Sequence, residues 1–144
     1  MATRDVVFPQ GRHALYERHH YSPAVRAGGL LFVAGQVGSR EDGSPEPELD
    51  AEIARAFVNL DAVLAAAGCT SQEVVDVTLF MVNPEVVFEA MWDKWVGYWG
   101  PAPYPTVTAV GVTWLAGFQF EIKVVDIPPI LSITSVWSPI PYPK

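Results

Sequence analysis

Residues 30–37, LLFVAGQV, decide how this chain must fold. The run is apolar without alternation and contains β-branched and aromatic side chains, which predicts a strand buried on both faces. One layer of helices can cover only one face of such a strand. Something else must cover the other, and self-association is the simplest source. Upstream, residues 5–8 (DVVF) and 13–18 (HALYER) read as short strands joined by a Gly-containing turn. Downstream, residues 38–48 (GSREDGSPEPE) are a polar loop rich in Gly and Pro.

A helix is expected over residues 49–67, where Ile53, Phe57, Leu60, Leu64 and Ala67 recur at spacings of four and three. Asp50 and Glu52 suit its first turn, where the helix dipole favours acids, and Gly68 suits its end. Thr70 and Glu73 have the spacing of a capping box. Residues 74–82 (VVDVTLFMV) read as a strand. Asn83 and Pro84 then read as N-cap and first residue of a helix over 84–99, with Val87, Met91, Trp95 and Tyr98 as its apolar stripe. Residues 106–113 and 118–126 are strands around the turn WLAG. The order β-β-β-α-β-α-β-β implies an α+β layer, one mixed sheet with two helices on one face. No repeat or linker divides the chain. One domain over residues 1–128 is expected, followed by an apolar, proline-rich extension over 129–144.

The chain has 144 residues, half of them hydrophobic, which is enough for one buried core. Its formal charge is −7, so nucleic acid and anionic membranes are not expected partners. Residues 95–120 carry no formal charge, but their glycines and prolines break them too often for a membrane-spanning helix. The single cysteine, Cys69, can form neither an internal disulfide nor a cysteine zinc site. The start, MATRDVVFPQ, has no apolar signal core, so the expected compartment is the cytoplasm.

No strong catalytic motif is present. His13, His19 and His20 are poor joint metal ligands, because adjacent side chains on an extended chain point opposite ways, and no metal or other cofactor is expected. Glu121 stands out inside FQFEIKVV. Strict alternation places Gln119, Glu121 and Lys123 on one face, and Phe118, Phe120, Ile122 and Val124 on the other. That polar face is either simply solvated or the wall of a cleft. In a cleft, desolvation would raise the pKa of Glu121 and fit it to accept a proton or hold water. Tyr21, just before a buried strand, is either a packing residue or a ligand contact.

Four stretches carry a resemblance: AGQVG (34–38), NLDAVLAAAGC (59–69), VVDVTLFMVNPEVVFEAMW (74–92) and PYPTVTAVGVTWLAGFQFEIKVV (103–125). Together they resemble the reactive intermediate deaminase (Rid, or YjgF-like) family over residues 14–128. The resemblance implies the chorismate-mutase-like α+β fold with a six-stranded mixed sheet. It also implies a homotrimer with ligand clefts between subunits, and cofactor-free hydrolysis of reactive enamines or imines to 2-keto acids and ammonia. In deaminating members an arginine just after the proline of the last of these stretches binds the substrate carboxylate; here, in PYPTVTAV, that position is Val107. The family tyrosine falls on Tyr21 and the family glutamate, which helps hold the attacking water, on Glu121. The backbone at Thr108 and Ala109 lines the expected cleft. A charge-assisted hydrogen bond is worth about 1.5–3 kcal/mol, or roughly 10- to 150-fold in affinity. Valine replaces none of it, so weak or absent activity on 2-imino acids is expected. Arg26, Arg18 and His20 are candidate replacement cations, and Trp114 with Phe118 suggests an apolar or aromatic ligand.

Overall fold

A computed structural model describes residues 3–11 and 14–129. The expectations for His13 and for most of the 129–144 extension lie outside the described residues. The deciding run 30–37 forms two short strands, β3 (Leu30–Val33) and β4 (Gln36–Val37). Both pair antiparallel with the same neighbour, β7 (Phe120–Asp126). Phe32 faces Val125 and Gln36 faces Ile122, so three residues on one strand oppose two on the other. This is a one-residue bulge in a single long strand. The remaining strands are β1 (Asp5–Val7), β2 (Ala24–Ala27), β5 (Val74–Met81) and β6 (Thr106–Gly111). Along the sheet the order is β1-β2-β3-β7-β5-β6, with β4 also on β7. Five of the six expected strand positions are therefore present, one of them split by the bulge, and the remaining strand is Ala24–Ala27 rather than 13–18. Among the described residues only β5 and β6 run parallel, as a crossover helix between them requires.

The helices are α1 (Ala14–His19), α2 (Leu49–Ala66) and α3 (Pro84–Tyr98). α2 buries Ile53, Ala56, Phe57, Leu60, Val63 and Leu64. These pack on Leu31, Val33, Val77, Leu79, Phe120, Ile122 and Val124, the inward side chains of the central strands. Val87 and Met91 of α3 join the same core, with Trp95 and Tyr98 partly buried against it. The expected capping box forms around a short turn at Ser71–Glu73, where the Thr70 amide donates to Glu73 Oε1 at 3.0 Å.

Three local expectations need correction. Residues 13–18 are not a strand: Ala14–His19 is one and a half turns of helix, suited to Ala, Leu, Glu and Arg, and β1 pairs directly with β2. Asn83 does not cap α3 with its side chain. It adopts a left-handed conformation (φ 56°), and its carbonyl accepts from the Val86 and Val87 amides. Residues 30–33 are not buried on both faces. Leu31 and Val33 are inaccessible while Phe32 is 42% exposed, because α2 and α3 both pack on the other face. Val25, Phe32, Phe80 and Val110 belong by register to that open face, together with Thr78, Thr108, Glu121 and Lys123. At its edge, every residue of β6 is exposed. Among the described residues no helix is long and apolar enough to cross a membrane.

Candidate functional site

The bulge sets the geometry of the site. Glu121 leaves β7 on the open face, paired across the sheet with Val37 on one side and Phe80 on the other. Gly35, inside the bulge, lies directly against its carboxyl group. A Cβ built on Gly35 would stand 2.6 Å from Glu121 Oε2, so the missing side chain makes the space the carboxyl occupies. Half-buried there, the carboxyl is held above the ordinary carboxylate range by desolvation, which the Lys123 ammonium partly offsets.

Glu121 forms one wall of a cavity of about 540 Å³. Tyr21 forms another, placed by the turn after α1. Its ring meets Tyr16 edge-on with centroids 4.8 Å apart, and Tyr16 Oη accepts from Gln36 Nε2 at 3.5 Å. Burial, then the neighbouring Tyr16 and Glu121, push the Tyr21 phenol up to about 12. At neutral pH it is therefore a proton-bearing donor beside a carboxyl group of raised basicity. Trp114, Leu115 and Phe118 close the apolar side from the β6–β7 loop, where Ala116 (φ 54°) and Gly117 (φ 96°) reverse the chain. Arg18 and His19 of α1 complete the polar side.

The structure thus brings Glu121, Tyr21, Trp114 and Phe118 together, with Arg18. It separates the others. His20 stands exposed with φ 58°, and its neighbour His19 lines the cavity in its place. Arg26 is on β2 at a different hollow, paired with Asp5 at 3.3 Å. Val107, Thr108 and Ala109 lie on the exposed edge strand, separated from β7 by β5, and do not line the cavity of a single chain. By register Thr108 shares the face of Glu121, while Val107 and Ala109 share the helix side. Sequence reasoning missed Gly35, whose only signal was a glycine interrupting an apolar strand. It also missed the role of Glu52. That residue is 2% exposed, and its Oε1 accepts the Gln119 amide at 2.6 Å and the Phe120 amide at 3.3 Å. Helix α2 thereby fixes the start of the strand that carries Glu121. Among the described residues, no three His, Cys, Asp or Glu side chains cluster as a metal site.

Residues 11–127 match the family model described as Endoribonuclease L-PSP. The chain is 57% identical over 125 residues to the RutC family protein YjgH of Escherichia coli (strain K12), covering 87% of this chain and 95% of that protein. A solved structure of protein YjgH superposes with a TM-score of 0.84 at 56% identity, covering 88% of this chain and 98% of the other. A 2-iminobutanoate/2-iminopropanoate deaminase of Dermatophagoides farinae is 32% identical over 94 residues, 64% of this chain and 72% of that protein. On fold, extent and identity together, the chain belongs to the Endoribonuclease L-PSP family, the Rid or YjgF-like group, and has its fold.

Proposed function

We propose that this protein is a Rid-like hydrolase that converts a reactive imine or enamine to a carbonyl compound and ammonia, in a cleft completed by a neighbouring subunit of a homotrimer. The observation that carries this reading is the meeting of Glu121 and Tyr21 in one cavity on the open face of the sheet. The open face and the exposed β6 support the oligomer, since apolar side chains such as Phe32 and Val110 are left in water by a single chain. In that assembly Thr108 and Ala109 of β6 line the cleft.

The chemistry needs no more than these groups. Water adds to the imine carbon while Glu121 takes its proton, and the same proton is delivered to nitrogen. Transfer of the carbinolamine's hydroxyl proton to nitrogen through Glu121 then breaks the C–N bond, forms the C=O bond and expels ammonia. The Tyr21 hydroxyl donates a hydrogen bond to the ligand and orients it. The deaminase relative supports the reaction class. Val107 presents no guanidinium on β6, so activity on classical 2-imino acids is weak or absent in this reading. RNA is not the proposed substrate, because a formal charge of −7 repels phosphate.

Ammonia release from imines generated in place tests the reading. Glu121→Ala should lower the rate about 10²- to 10⁴-fold, the range of general acid–base catalysis. Equal rates would remove Glu121 from the mechanism. A second reading, a non-catalytic small-molecule-binding trimer, is favoured by Val107. No turnover across a broad imine panel, together with thermal stabilisation by a carboxylate or aromatic ligand, would establish it. A gain of 2-imino acid hydrolysis in Val107→Arg would show that the rest of the cleft is competent.

A further inference from the structure

We infer that Arg18 is the anion-binding residue of this cavity, and that the ligand it takes is a small carboxylate bearing an aromatic or bulky apolar group. This rests on the reading above that the cavity holds a small organic molecule. Helix α1 projects Leu15 and Arg18, three residues apart, toward the same cavity that Glu121 and Tyr21 line. Arg18 makes no ion pair among the described residues. Arg26 and Arg55, by contrast, are each committed to a carboxylate at 3.3 Å, Asp5 and Glu46 respectively.

No ion pair joins Arg18 to Glu121 among the described residues. Arg18 and Glu121 both line the one cavity, so a ligand held there would meet a cation and a carboxyl group. Gly43, at φ 89°, lets the 38–48 loop close on α1. A Cβ there would stand 2.9 Å from Leu15 Cδ2 and 3.9 Å from Arg18 Nη1. The loop thus runs beside the exposed arginine at the mouth of the cavity. Its planar fork can hold a carboxylate through two parallel hydrogen bonds.

The remainder of the ligand is set by the opposite wall. Trp114 is 74% exposed at the cavity and offers a flat apolar surface, with Phe118 beside it. A volume of about 540 Å³ accommodates a ring-bearing molecule rather than only a three- or four-carbon acid.

Calorimetric titration with phenylacetate and its uncharged analogue phenylacetamide tests the assignment. Wild type should bind the carboxylate at least about tenfold more tightly than the amide. Arg18→Ala should abolish that preference and leave amide affinity unchanged, while Arg18→Lys restores only part of it, because an ammonium cannot form the paired contact. Arg55→Ala, at a committed ion pair elsewhere, should behave as wild type. A wild type without the preference, including one that binds neither probe, overturns the inference. So does an Arg18→Ala protein that keeps the preference. These titrations need no turnover. If Glu121→Ala leaves ammonia release unchanged, the hydrolase reading fails while the Arg18 result stands, and the converse outcome is equally distinct.

Discussion

Gly35 and Glu121 together form the smallest functional unit of this fold, a carboxyl group lodged where a side chain is missing. Alanine at 35 would displace the carboxyl rather than break the core, since the atoms it meets belong to a flexible glutamate side chain with other staggered rotamers open to it. Gly35→Ala should therefore lower imine hydrolysis at least about tenfold while shifting the denaturation midpoint little. In a Glu121→Ala background the same change should have almost no further effect on either readout. A second carboxyl, Asp126, is inaccessible, and neither of its oxygens has a hydrogen-bond partner. Burial, then the charge of Glu73, raises it to about 7, with the nearby Cys69 thiol only partly offsetting this. The folded chain thus holds this proton at pH values where the unfolded chain has lost it. Between about pH 4 and 7 the native state binds more protons, so stability falls as pH rises through that window and levels off above it. The cost at pH 8 is up to about 4 kcal/mol. Urea denaturation across pH 4–8 should show this slope in wild type, and Asp126→Asn should flatten it.

At the scale of elements, Glu52 shows how one residue can serve two. Its place in the first turn of α2 suits the helix dipole, and nothing in the local sequence says more. In the fold its carboxyl leaves the helix surface and holds two backbone amides at the entrance of β7. Glu52→Ala would leave those amides without an acceptor in a buried place, which costs about 1–3 kcal/mol. Chemical denaturation should show that loss, and imine hydrolysis should drop with it because Glu121 is the next residue along. The longer elements were legible in sequence because their apolar spacing repeats over several turns, as in α2. Helix α1 was not, because six residues are too few for either period to declare itself. The bulge was not, because a one-residue slip between two strands is a property of the pair.

For the whole molecule, the open sheet face is the feature a single chain leaves incomplete. Val110 lies on it at the exposed edge, away from the core and from the cavity. Val110→Lys would place an ammonium in the proposed subunit contact without disturbing the folded chain. Light scattering should report three chains for wild type and one for the variant, and hydrolysis should fall in parallel. An unchanged mass for the variant would place the contact elsewhere. A single-chain mass for wild type at micromolar concentration would remove the trimer.

Periodicity and composition by themselves determined the two long helices, the five main strand positions and the side of β7 on which Glu121 stands. Those features follow from which side chains leave water, and that is written locally along the chain. Tertiary structure alone decided which candidates share a cavity. Arg18, Tyr21 and Glu121 converge because a bulge, a six-residue helix and a glycine loop meet. Arg26 is drawn instead to Asp5 on the adjoining strand. Convergence of residues a hundred positions apart depends on strand register and loop closure, which no stretch of the sequence encodes alone.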